Sequence, residues 1–198
     1  MHLYSGSTTD FLTDVETGRI ATVLNDRFFE EYRFAPVESE VRSWQNSLAS
    51  MATVVDRAGL RDHGVLVEYQ LPLTSRRLDC MFTGHSERGA TAVVVELKQW
   101  DDVKPSWVDD CVKTFTGGRE RDVLHPSAQV SAYMRYLADT NTAFADDAIS
   151  LDACAYLHNL KSGAAPMLLQ PAFDAVRAEA PLFLAGDEEA LAAHLSAR

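Results

Sequence analysis

The chain has 198 residues, 46% of them hydrophobic and 24% charged, the balance of a soluble globular protein that is one domain or a domain with an elaborated edge at roughly 150 residues per domain. Its 18 Lys and Arg against 29 Asp and Glu give a formal net charge of −11, which argues against a surface that holds nucleic acid by charge alone. No apolar run reaches the roughly 18 residues of a membrane span, and Asp10, Asp14 and Glu16 stand where a secretory leader would be apolar; Cys80, Cys111 and Cys154 are too scattered for a disulfide or zinc framework, so a cytoplasmic protein away from membranes is expected.

In chain order, residues 14–33 read as a helix, with Val15, Val23, Leu24, Phe28 and Tyr32 near helical spacing and Gly18 as its weak point. Phe34-Ala35-Pro36 ends it, so residues 1–36 are expected as a helical extension and 37–198 as the main domain. Val41, Trp44, Leu48, Met51 and Val55 form the stripe of a core-facing helix. Val65 to Leu71 and Arg77 to Phe82 then read as a β-hairpin. Thr91 to Lys98 is nearly continuous in apolar residues, the mark of a central strand covered on both faces.

Residues 101–124 are a long excursion with a small hairpin at Gly117-Gly118. Pro126 opens a helix to Leu137 with Val130 and Met134 on its apolar side, and His125 is its entry residue. Ile149 to Leu157 is a fourth strand, and Asp187 caps a last helix carrying Leu191 and Leu195. The predicted order is α-α-β-β-β-α-β-α, an α/β sandwich with a mixed sheet.

The basic residues are unevenly spread. Residues 1–56 hold 4 against 9 acids and residues 122–198 hold 4 against 10, whereas residues 57–121 hold 10 of each, so an anionic ligand should meet that middle third. Within it, Glu96 and Lys98 point to one face of their strand with Leu97 turned away. Two charges in a Val-rich strand are costly to bury unpaired, and Asp79 lies at the matching depth of the preceding strand. Two carboxylates beside an ammonium suit Mg²⁺-assisted phosphodiester hydrolysis; a structural ion pair uses the same residues.

Asp79, sixteen intervening residues, then Glu96-x-Lys98 resembles the PD-(D/E)XK nuclease superfamily, with Leu78 in place of the family's Pro. Gln129-x-x-x-Tyr133 on the next helix is similar to the QxxxY motif of its RecB-like branch, and Glu40 sits where the family often draws an acid from its first core helix. The segments Glu68 to Pro72, Arg77-Leu78-Asp79, Glu96 to Trp100 and His125-Pro126-Ser127-x-Gln129 resemble the nuclease-like region ahead of bacterial Schlafen-type P-loop ATPases, over residues 37–198.

That resemblance implies a restriction-endonuclease-like fold and an Mg²⁺-dependent nuclease, Mn²⁺ substituting, acting on DNA or RNA. Asp79, Glu96 and the Leu97 carbonyl would bind the metal, Glu40 would complete the shell, and Lys98 would assist the attacking water. Gln129 and Tyr133 would contact the site or the substrate backbone. Arg77 meets phosphate or balances acids. The chain has no GxxxxGK[ST], so an ATPase or helicase would be an attached domain or a partner, and a homo-oligomer is the other expected assembly. Three readings stay open at this point: an active nuclease, a nuclease-like module that binds nucleic acid or a protein without turnover, and a structural adaptor. Glu40 also reads as a solvated acid at a helix start and Tyr133 as core; Glu68 and Gln70 share a face of the first strand and either flank the site or, the favoured reading, are solvated strand residues. Trp100 and Trp107 read as base-stacking residues or as a hydrophobic plug.

Overall fold

Ala92 to Val95 lie in β4 (Gly89–Lys98), the strand on which both halves of the protein pack. The computed structural model describes residues 1–86, 89–145 and 149–198. β1 (Tyr4–Ser7), β2 (Gly64–Gln70), β3 (Arg77–Ser86), β4, β8 (Ser150–Lys161) and β9 (Leu182–Ala185) form a six-stranded sheet in the order β1-β2-β3-β4-β8-β9. The first four strands pair antiparallel, and β8 and β9 join in parallel. The chain is therefore α/β with a mixed sheet, as expected.

Side chains of β4 alternate between two cores. Val93, Val95 and Leu97 enter the first, with Phe11 of α1 (Thr8–Glu16), Leu24 and Phe28 of α2 (Arg19–Tyr32), Trp44, Leu48 and Met51 of α3 (Glu38–Arg57), and Leu191 of α7 (Glu188–Ser196). Ala92 and Val94 enter the second, with Val130, Tyr133 and Leu137 of α4 (Pro126–Thr140). The residue 101–124 excursion carries a separate three-stranded sheet, β5 (Lys104–Pro105), β6 (Cys111–Thr116) and β7 (Arg119–Leu124), turning at Gly117 and Gly118, both at positive φ. Trp100 lies in the second core, whereas Trp107 is 97% exposed. Short helices α5 (Thr142–Ala145) and α6 (Asp174–Glu179) complete the chain.

The expected element order is incomplete, and the corrections are local. The single helix at residues 14–33 is two, parted at Gly18, whose φ of 70° is left-handed. α1 starts earlier because Ser7 and Asp10 form a capping box. Strands β1 and β9, of four residues each, are too short to show periodicity, yet they form the edges of the sheet. Asp187 stands at the entry to α7, but its carboxylate accepts the Leu184 N–H at 2.8 Å instead of capping the helix. Residues 1–36 supply β1, α1 and α2, all packed on the sheet or the first core. Among the described residues no helix is long and apolar enough to cross a membrane.

His125 enters α4 as expected, and it is fully buried. Its Nδ1 accepts the Ser127 N–H and its Nε2 donates to the Leu168 carbonyl, each at 3.1 Å, while the ring stacks on Phe173 at 4.4 Å. Burial pushes its pKa down to about 4 against a partial pull upward from the Leu168 carbonyl. The unfolded chain then binds a proton near pH 6.5 that the folded chain refuses until about pH 4, so stability is lost as pH falls through that window. His125→Asn should lower Tm at pH 7.5 by roughly 3–8 °C, and melting from pH 7.5 to 4 should show that gap narrowing.

Candidate active site

The antiparallel ladder between β3 and β4 runs from Ser86↔Gly89 to Cys80↔Val95 and stops there. One residue further, the Asp79 side chain takes the place of a backbone partner, its Oδ2 accepting the Leu97 N–H at 2.7 Å. The N–H and C=O of a strand residue leave on the same side, so the Leu97 carbonyl faces the same opening. Alternation sends Leu97 into the first core and Glu96 and Lys98 to the α4 face.

Glu96 is 2% exposed. Its Oε1 receives Lys98 Nζ at 2.5 Å and Gln129 Nε2 at 2.6 Å, and the same Gln129 amide donates to the Tyr133 hydroxyl at 3.0 Å. Lys98 also lies over the Trp100 ring at 5.8 Å. Among the described residues, Glu96 Oε2 has no hydrogen-bond partner. The structure thus brings Asp79, Glu96, Leu97, Lys98, Gln129 and Tyr133 to one place, on β3, β4 and α4.

Glu40, Arg77 and Glu68 form a neighbouring cluster with the arginine at its centre. Arg77 bonds Glu40 at 2.5 Å and Glu68 Oε2 at 2.9 Å, and its guanidinium lies over Phe28 and Tyr32 at 5.5 and 5.9 Å. Trp44 Nε1 donates to Glu68 Oε1 at 2.9 Å. Of the two readings of Glu68, the favoured one, a solvated strand residue, is overturned: Glu68 is buried and flanks the site beside Asp79. Its φ of 53° interrupts β2: Val67↔Cys80 and Tyr69↔Leu78 pair, but Glu68 and the facing Asp79 do not. The signal was available in the hairpin register, which sets Glu68 across from Asp79; strand alternation alone gives no hint of the turned-in carboxylate.

Below Glu68 and Asp79 lies a cavity of about 40 Å³, lined by Ser43, Trp44, Ser47, Leu48, Val67 and Leu97 with the two acids. It is roomy enough for a water. Gln99 bolts the end of β4 to α3 through the Ser43 carbonyl at 2.8 Å and Ser47 Oγ at 2.9 Å.

Burial, then the Glu96 charge, lifts the Asp79 carboxyl well above the usual range; Lys98 and the Leu97 N–H pull it back in part. Burial also raises Glu68, with Glu40 and Glu96 adding to the rise and Arg77 and Trp44 opposing it. Burial works against charge on Lys98, but Glu96 and Asp79 outweigh it and hold the ammonium. Tyr133 is raised by burial and by Glu96. Four acids, Glu40, Glu68, Asp79 and Glu96, thus meet two cations, Lys98 and Arg77.

Among the described residues no group of three or more His, Cys, Asp or Glu forms a side-chain metal cage. Mg²⁺ seldom uses one; it takes one or two carboxylates and keeps its waters. Asp79, the free oxygen of Glu96 and the Leu97 carbonyl make a donor set of that kind, and the partnerless Oε2 is the observation that fits a cation. No protein-family model matches the chain, and no curated protein or solved structure matches it.

The raised Asp79 pKa has a consequence for stability. The folded protein keeps a proton that the unfolded chain releases near pH 3.9, so the contribution is full below that pH and is lost as pH rises through the folded value. Asp79→Asn keeps an acceptor for the Leu97 N–H and cannot ionise. In EDTA it should melt above the native chain at pH 7, with the difference closing toward pH 4; a lower Tm at pH 7 would mark Asp79 as the anchor of a stabilising ion pair.

Proposed function

We propose that the chain is a divalent-metal-dependent nuclease of restriction-endonuclease-like fold, hydrolysing phosphodiester bonds of DNA or RNA in the cytoplasm. The observation that carries this reading is the buried Glu96 carboxylate, one oxygen bound by Lys98 and Gln129 and the other unpartnered, beside an Asp79 whose charge is unfavourable without a cation. The six-stranded mixed sheet flanked by helices, and the PD-(D/E)XK-like order of the residues on it, support the fold assignment.

Asp79, Glu96 and the Leu97 carbonyl would hold Mg²⁺ or Mn²⁺. When bound, the ion supplies Lewis-acid polarisation of the phosphoryl oxygen and activation of water. Lys98, kept protonated by its neighbours, orients the attacking water and meets developing negative charge. Gln129 fixes the rotamer of Glu96 and directs the Tyr133 hydroxyl, whose own proton is left for a substrate oxygen. Acidic flanks at residues 1–56 and 122–198 repel a phosphate backbone, so delivery of the strand falls to a P-loop ATPase or helicase, attached or separate, or to a second copy of the chain.

The net charge of −11 favours a second reading, a nuclease-like module that binds nucleic acid or a protein without turnover. Cleavage of single-stranded and duplex DNA and RNA separates the two. An active nuclease should cut with Mg²⁺ or Mn²⁺ and stop in EDTA. Asp79→Ala, Glu96→Ala and Lys98→Ala should each lose at least about 100-fold in rate, with double variants adding little because the three act as a unit. Binding without cleavage under every metal condition would select the second reading, and cleavage persisting in EDTA would exclude the metal mechanism.

A further inference from the structure

We propose that Glu68 is a positioning residue of the metal site, acting on a cation at Asp79 and Glu96 through its charge and intervening water, and that Glu40 acts on the same site through Arg77 and Glu68. The inference rests on the metal-dependent reading above and adds to it a residue on β2 and a role for Glu40 other than ligand.

Four features lead to Glu68. It is a non-glycine residue at φ 53° inside a strand, a conformation that L-residues adopt at a cost and that the surroundings must enforce. The turn removes one rung from the β2–β3 ladder and brings the carboxylate level with Asp79, beside the small cavity that both acids line. Trp44 and Arg77 each hold one of its oxygens, so its place is fixed from two sides. Its charge is felt at Asp79, and that of Glu96 is felt at Glu68. A residue needed only to accept the Trp44 indole N–H would serve as well in neutral form. Burial opposes its charge, and Arg77 and Trp44 favour it; as a carboxylate, with a second acid, Glu40, sharing its guanidinium, Glu68 raises the negative potential at the unpartnered oxygen of Glu96.

With one oxygen held by Trp44 and the other by Arg77, Glu68 stands outside direct ligation, in the shell that orients ligands and ordered water. Loss of such a group costs 10- to 100-fold in metal affinity as a rule. Glu40 touches the arginine and not the site, so its removal leaves Arg77 wholly to Glu68 and dampens the charge there.

The test is Mn²⁺ titration of the full chain, with free Mn²⁺ read by electron paramagnetic resonance. Glu68→Gln keeps an acceptor for Trp44, and it should weaken Mn²⁺ binding about tenfold while Tm in EDTA holds or rises. Should that variant not fold, Glu68→Asp keeps the charge but withdraws it and should weaken binding in the same direction. Glu40→Gln should weaken binding about threefold in the native background and have no further effect beside Glu68→Gln, because both act along one path. Glu38→Gln, on the exposed start of α3, should change nothing. Native affinity in Glu68→Gln, with Asp79→Asn abolishing binding, overturns this inference and leaves the metal site standing. Equal effects of Glu40→Gln in both backgrounds overturn the path through Arg77. No Mn²⁺ binding by the native chain, or full binding by Asp79→Asn, overturns the metal site and this inference together.

Discussion

One hydrogen bond organises the centre of this protein: the Leu97 N–H donated to the Asp79 carboxylate where β3 parts from β4. A sheet that simply continued would have satisfied Leu97 with backbone and left Asp79 without a reason to be buried. By substituting a side chain for the last rung, the fold opens a gap between two central strands without leaving an orphan donor. The central residues of the candidate site border that gap. The Leu97 carbonyl faces it, Glu96 and Lys98 flank it from one side of the sheet, and Glu68 meets it from β2.

Such a gap is tolerable only because the surrounding packing is rigid. β4 is covered by α3 on one face and α4 on the other, and its end is tied to α3 by Gln99. The acids are distributed among partners that sit on regular elements: Trp44 and Glu40 on α3, Gln129 and Tyr133 on α4, Arg77 at the start of β3. A site assembled from strands and helices holds its geometry better than one built on loops. The cost is electrostatic, since Asp79 and Glu68 are both pushed toward their protonated forms.

The parts of this arrangement visible in the sequence are those with a period or a strong composition. The Val41-to-Val55 stripe located α3, the apolar run of residues 91–98 located the central strand, and Pro126 located α4. Alternation correctly set Glu96 and Lys98 on one face, because β4 is regular to its end. The same rule left Glu68 between a site-flanking and a solvated position and favoured the wrong one, because β2 is irregular at that residue and a positive φ in a non-glycine residue has no signature in composition. Edge strands β1 and β9 were hidden for a different reason: four residues carry too few alternations to register, and their identity comes from the partner strand. Glu40 and Arg77 were visible as charged residues near the site, but their mutual pairing depends on the crossing of α3 over β3, which only the tertiary structure defines.

That crossing also explains why a protein so rich in acid keeps arginine here. Arg77 lies between Glu40 and Glu68 and over the rings of Phe28 and Tyr32, so α2, α3, β2 and β3 meet on one guanidinium. Lysine would supply the charge but neither the planar stacking nor the two separately directed donors that reach both acids. Asp79 is two residues along the same strand, turned toward the gap, so the arginine on its aromatic seat and the carboxylate that closes the ladder share one stretch of β3. A chain of contacts thus joins α2 to the site: Phe28 and Tyr32 seat the arginine, the arginine holds Glu68, and Glu68 faces Asp79 across the missing rung.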